Sequence, residues 1–201
     1  MVNNQITIKS YDKIANDYLE RNRDRTILKE HIDRFMNHLK SDDIIIDIGC
    51  GPGFDAAIFR AKNFKVFALD RSTEMINRGR QEFQESFVQA DMRHLPFFNK
   101  INALWVNASI IHLQRKYVPE TLSEFYQSLQ KEGILFISVK EGRGENWDSC
   151  SFGGDAPRWF TYWEEDQLDM LLHKANFLIL ESWQDITPKA NWLVRICQKQ
   201  A

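Results

Sequence analysis

The chain has 201 residues, 43% hydrophobic and 27% charged, with a formal net charge of −2 at pH 7. That length suits one domain with a buried core. The charge balance argues against a nucleic-acid binder, which needs clustered Lys and Arg, and no window approaches the ~18 apolar residues of a membrane span. Residues 1–10 are polar and lack the apolar stretch of a secretory signal, so a cytoplasmic protein is expected. The expected partner is a small molecule rather than nucleic acid or membrane, with the chain a monomer or homodimer. Cys50, Cys150 and Cys197 contain no C-x-x-C pair and are expected to be free thiols, with no metal site.

Tyr11, Ile14, Ala15 and Tyr18 share one helical face, with Ser10 placed as its N-cap. A polar link over 21–25 leads to Leu28, Ile32, Phe35, Met36 and Leu39, again at helical spacing. The run Ile44-Ile45-Ile46-Asp47-Ile48 is β-branched and apolar, which predicts a strand buried on both faces. It stops in Gly49, Gly51 and Gly53, where the backbone can turn tightly and approach a ligand.

After a short helix around Ala56 to Ala61, residues 65–70 read as a second strand ending in Asp70. Ser72 caps the next helix, residues 87–91 form a third strand ending in Asp91, and residues 101–106 a fourth followed by Asn107. Pro119 opens a helix that Gly133 is expected to terminate, and residues 134–139 form a fifth strand. Residues 141–162 hold four glycines with Trp147, Trp159 and Tyr162 and show no period, which suggests a lid or binding loop. Thr161 and Glu164 have capping-box spacing before another helix. Residues 177–183 and 192–197 complete the strands, separated by a turn with Pro188. Strands alternating with helices predict a largely parallel sheet covered on both faces, with the last two strands able to pair antiparallel.

In such a sheet, ligands bind beyond the carboxyl ends of the strands. The glycine loop, Asp70, Asp91 and Asn107 all fall there. Asp70 follows Gly49 by 21 positions, the separation of a carboxylate that accepts both hydroxyls of a ribose. A nicotinamide dinucleotide is disfavoured, because its loop needs a third glycine at the sixth position, here Phe54. Asp47, two residues before the loop, suits a ligand with ammonium or sulfonium charge better than a pyrophosphate.

These residues resemble the motifs of class I methyltransferases dependent on S-adenosylmethionine, of the small-molecule, methyltransferase-domain 11/25 kind, over nearly the whole chain. Residues 47–53 resemble the first motif, Leu69-Asp70 the ribose acid, and Ala90-Asp91-Met92 the adenine-contacting segment. Asn107 to Leu113 resembles the fourth motif and residues 129–139 the fifth. Tyr11-Asp12-Lys13-Ile14-Ala15 and Tyr18 resemble the N-terminal cap of small-molecule members.

The resemblance implies a Rossmann-like, doubly wound α/β fold: seven strands, mostly parallel, the last one antiparallel, with helices on both faces. It implies one methyltransferase domain over 1–201, with 1–40 a helical cap and 141–163 a substrate lid. It implies S-adenosyl-L-methionine as cofactor, held by Asp47, Gly49, Cys50, Gly51, Asp70 and Arg71 on one side and Asp91, Met92 and Asn107 on the other. Tyr11 and Tyr18 either cap the cofactor or are core contacts. His112 is the first candidate for a general base and Glu141 the second, against plain packing for the histidine and solvation for the glutamate. The expected reaction is in-line methyl transfer to a small acceptor; the alternative is a regulatory protein that binds the cofactor without catalysis.

Overall fold

A computed structural model of the chain describes residues 2–83, 86–148, 152 and 155–200; Cys150, expected to be a free thiol, lies outside them. The triple isoleucine forms β1 (Ile44–Ile48), followed by α3 (Phe54–Ala61), β2 (Lys65–Asp70), α4 (Thr73–Glu82), β3 (Phe87–Gln89) and β4 (Ile101–Asn107). Then come α5 (Val118–Ser128), β5 (Leu129–Lys140), α6 (Glu165–Lys174), β8 (Phe177–Ile186) and β9 (Asn191–Lys199). α1 (Val2–Arg21) and α2 (Lys29–Met36) precede them, and a short pair, β6 (Glu145–Asp148) and β7 (Arg158–Thr161), forms a second, two-stranded sheet.

The main sheet has seven strands in the order β3-β2-β1-β4-β5-β9-β8. β9 is antiparallel to both β5 and β8, and the pairings from β3 to β5 are parallel. The antiparallel β9 inserted before β8 departs from the parallel 3-2-1-4-5-6 order of dinucleotide-binding sheets. The expected doubly wound sheet with an antiparallel last strand is therefore the observed one.

Successive side chains of a strand face opposite layers. Ile46, Ile48, Leu104, Val106, Leu135 and Ile137 pack with Leu122 and Phe125 of α5 and Leu168 and Leu172 of α6. Ile45, Ala103, Trp105, Phe136 and Ile196 pack with Ile32 and Phe35 of α2 and Ala56 and Phe59 of α3. In this second layer Trp105 stacks on Phe136 with centroids 3.8 Å apart, and Phe35 meets Phe59, Trp105 and Phe136. Among the described residues no helix is long and apolar enough to cross a membrane.

Four local expectations are corrected. α1 already runs from Val2, so Ser10 is not a cap; it lies inside the helix, and its hydroxyl donates to the Pro157 carbonyl at 2.6 Å. Gly133 does not end α5, because the chain passes directly from Ser128 into β5, and the left-handed turn falls on Glu132 (φ 61°). Residues 141–162 are not wholly irregular: β6 and β7 pair antiparallel, with Trp147 opposite Trp159. Thr161 belongs to β7 and donates to the Leu113 carbonyl, leaving Glu164 as the N-cap of α6 without a side-chain bond.

Phe35 is fully buried between three aromatic rings. Phe35→Ala is expected to lower the free energy of unfolding by about 3–5 kcal/mol in urea denaturation. A loss well below about 1 kcal/mol would show that α2 is not anchored on this layer.

Candidate functional site

The chain leaves β1 through three glycines with positive φ, Gly49 (69°), Gly51 (56°) and Gly53 (86°). At Gly49 a Cβ would stand 2.4 Å from Ser109 Cβ, so conformation and space both demand glycine. The loop is tied to the end of β2: the Gly49 and Cys50 N–H groups donate to the Leu69 carbonyl at 2.7 and 3.0 Å. Asp70 completes the tie, accepting from the Gly51 N–H on Oδ2 and the Ser72 N–H on Oδ1, each at 2.8 Å. Burial pushes the Asp70 carboxyl up, opposed by the N–H groups of Ser72, Gly51 and Arg71. Ser72 caps α4 as expected, its hydroxyl accepting from the Met75 N–H.

Gly49, Gly51, Asp70 and Arg71 line one side of a cavity at the carboxyl ends of the strands, and Asp91, Met92 and Asn107 line it further along. Tyr11 and Tyr18, from α1, cover it, with Tyr18 3.6 Å from where a Gly51 Cβ would stand. Asp91 is gripped by Arg93, whose Nη2 donates at 2.6 Å, and by Arg71 Nη1 at 3.0 Å. Burial alone would raise the Asp91 carboxyl, but these arginines hold it below the usual range.

Asp47 and Cys50 are not among the residues lining the cavity. Asp47 is buried behind the loop with Oδ2 unpartnered, and desolvation followed by the neighbouring Asp55 pushes its carboxyl well up. Cys50 packs against the second layer and donates its thiol to the Gly51 carbonyl.

His112 does line the cavity. Its Nδ1 lies 2.7 Å from the Trp159 carbonyl, which only accepts, so Nδ1 carries the proton. Nε2 therefore accepts from the Tyr11 hydroxyl at 2.7 Å. Burial, with Arg158 and Lys140 nearby, depresses its pKa from 6.5 to about 3, while the Trp159 carbonyl opposes the fall.

Glu141 is not brought to the site. It follows β5 next to β9, and its carboxylate accepts from Asn191 Nδ2 at 3.1 Å and Gln184 Nε2 at 3.5 Å. The pairing of β5 with β9, and of β9 with β8, sets that direction, which cannot be read from the residues around Glu141 alone.

Several site residues escaped sequence reasoning. Asn4, Thr7 and Ile8 line the cavity from the first turns of α1, and Ser109 lines it beside the loop. Asn4 Oδ1 and Ser109 Oγ are buried without a partner. Beneath the loop, Asp55 accepts from Arg25 Nε (2.8 Å) and Nη2 (2.9 Å), Trp105 Nε1 (2.9 Å) and Asn107 Nδ2 (3.1 Å). Asn107 in turn accepts from the Ser138 hydroxyl at 2.7 Å. The only signal for this network was Arg25 in the charged link and an acid in the first turn after the loop.

Residues 45–133 match the family model described as a methyltransferase domain. Among curated relatives, a malonyl-[acyl-carrier protein] O-methyltransferase of Enterobacter lignolyticus is 25% identical, the match covering 69% of this chain and 55% of that protein. A trans-aconitate 2-methyltransferase of Escherichia coli O157:H7 is 27% identical over 54% of this chain and 42% of that protein. The chain thus spans about half the length of the curated relatives it matches. Among solved structures, the 1,6-didemethyltoxoflavin-N1-methyltransferase of Burkholderia thailandensis, with bound 1,6-didemethyltoxoflavin and S-adenosylhomocysteine, shares the fold. Its TM-score is 0.79 at 20% identity, covering 98% of this chain and 88% of that one. The matched segment begins in the triple-isoleucine strand and carries the loop and both acids that follow it, and over these residues the chain is similar to a methyltransferase domain, on a fold shared with a methyltransferase solved with S-adenosylhomocysteine.

Proposed function

We propose that this protein transfers the methyl group of S-adenosylmethionine to a small-molecule acceptor by in-line displacement. The observation that carries the reading is one cavity in which a glycine loop, Asp70 and Asp91 stand opposite the aromatic cover of α1. The residues fit the cofactor. Gly49 leaves no room for a side chain, and Gly51 has room but a φ that favours glycine. Asp70 spends one acceptor site of each oxygen on the backbone and keeps others for a ribose diol. Asn4 and Ser109 offer buried polar atoms that lack protein partners.

In this reading Asp70 takes the ribose hydroxyls, Asp91 and Met92 border the adenine, and the loop from Gly49 to Gly51 cradles the amino-acid end. Asp47, Cys50 and Asp55 act from behind, holding the loop in shape, and Asp55 also holds Asn107 at the cavity wall. When bound, the cofactor supplies a methyl already activated by its sulfonium. The chain's own task is then alignment and exclusion of water, and orientation alone can be worth roughly 7–11 kcal/mol. Tyr11, Tyr18 and the β6–β7 hairpin close the acceptor side as a lid.

His112 is assigned to positioning rather than proton removal. Its one free lone pair already accepts from Tyr11, and its surroundings disfavour the imidazolium that a base must become. Its part is to fix the direction of the Tyr11 hydroxyl at the cavity wall.

Two measurements test this account. Asp70→Ala is expected to weaken S-adenosylhomocysteine binding by at least roughly tenfold in calorimetry, since hydrogen bonds to a charged group contribute about 1.5–3 kcal/mol each. Unchanged affinity would remove Asp70 from the site, and a wild-type protein that binds neither the cofactor nor its demethylated product would overturn the reading. The second concerns His112. Because its folded pKa lies below the unfolded value of 6.5, the unfolded chain binds more protons between there and about pH 3, and stability falls as pH drops through that window. His112→Asn should flatten the acid limb of a stability-against-pH curve by up to about 1.4 kcal/mol per pH unit. Identical slopes for both proteins would contradict a buried neutral His112.

A further inference from the structure

Behind Tyr11 and His112, outside the residues that line the cavity, two cations share one nearby acid, Asp148, among the described residues. Arg158, on β7, is 6% exposed, yet its Nε is buried with no hydrogen-bond partner. Among the described residues its Nη1 donates to the Tyr11 hydroxyl, at 3.4 Å, and its Nη2 lies 3.9 Å from Asp148, too far for a hydrogen bond. Three rings also face the guanidinium: Tyr11, Phe152 and Phe160, with centroids 5.5, 4.9 and 5.2 Å away. Lys140, at the end of β5, puts its ammonium 4.0 Å from the same Phe160 ring. Among the described residues no carboxylate lies within ion-pair distance of Lys140.

Two partly desolvated cations around one aromatic ring, with Asp148 as their nearest acid, are costly in a free protein. Buried charges are ordinarily paired and hydrogen-bonded. The cost is recovered if a ligand supplies the missing anion, and the guanidinium fork matches a carboxylate in shape as well as in charge. Tyr11, whose hydroxyl Arg158 touches, lines the cavity.

We infer that Arg158, seconded by Lys140, forms a carboxylate-binding subsite behind the Tyr11 and His112 wall of the cavity, reached when Tyr11 shifts, so that the methyl acceptor is a small carboxylic acid bound as its anion. The inference rests on the methyltransferase reading. Lys140 →π contact with Phe160 and the arginine's aromatic box leave both cations fixed in place before the ligand arrives, which limits the ordering cost of binding.

The test uses the full chain loaded with S-adenosylhomocysteine and sodium malonate as the probe. Malonate is expected to shift the Arg158 Nε–Hε resonance saturably, with millimolar affinity, where sodium chloride of equal ionic strength does not. Arg158→Lys, which keeps the charge but loses the fork, should weaken malonate at least roughly tenfold while holding S-adenosylhomocysteine affinity within about twofold. A cofactor-loaded wild-type protein whose Arg158 resonance does not respond to tens of millimolar malonate would overturn the subsite and leave the methyltransferase reading standing. Should the lysine variant misfold, the wild-type titration decides alone. Failure to bind S-adenosylhomocysteine at all would instead overturn both readings.

Discussion

The turn from β1 into α3 is the constraint on which the rest of the site depends. The backbone between Asp47 and Phe54 holds positive φ at every second residue, and only glycine does this at little cost. Curling this way aims the Gly49 and Cys50 N–H groups at one carbonyl of β2 and the Gly51 N–H at the Asp70 carboxylate. One strand's exit is thereby latched to the end of its neighbour. Asp70 serves as both latch and candidate ligand, so its position cannot be lost without loosening the loop.

Behind the loop, the electrostatics are settled by an unequal division. Asp47 and Asp55 are both buried near Arg25, but Asp55 takes the bidentate pair together with the Trp105 and Asn107 donors. Asp47 is left with an orphaned oxygen and is pushed toward its neutral form by desolvation and by Asp55. Because Asp55 also holds Asn107, the network joins the link before α2, the first turn of α3 and the end of β4. A cavity wall built from separate strands is held rigid in this way from beneath, with Asn107 the member of the network that also lines the cavity.

How much of this was readable depended on the range of the interaction. The sheet was legible, since continuous apolar runs and their glycine or acid endings are local chemistry. Gly49, Gly51 and Asp70 were legible too, because the loop geometry is written into adjacent residues and the acid follows at a fixed separation. Arg25 and Asp55 were not, being 30 residues apart with nothing in either neighbourhood to announce the pair. β6 and β7 were missed because four residues are too few to establish an alternating period. The start of α1 was missed because Asn4 and Thr7 are polar yet buried, turned inward by the cavity they line. Glu141 was misplaced because the pairing partner of its strand, not its own sequence, decides which way it points.

The tertiary arrangement also changes the chemistry first expected of His112. A histidine after β4 reads as a base from its intrinsic pKa, but the Trp159 carbonyl fixes its tautomer and Tyr11 occupies its acceptor. A crystal structure of the chain with S-adenosylhomocysteine tests the central claim most directly. The account predicts both ribose hydroxyls within hydrogen-bond distance of the Asp70 carboxylate and the sulfur facing the Tyr11–His112 pair. A ligand bound with its ribose away from Asp70, or with the glycine loop out of contact, would contradict it.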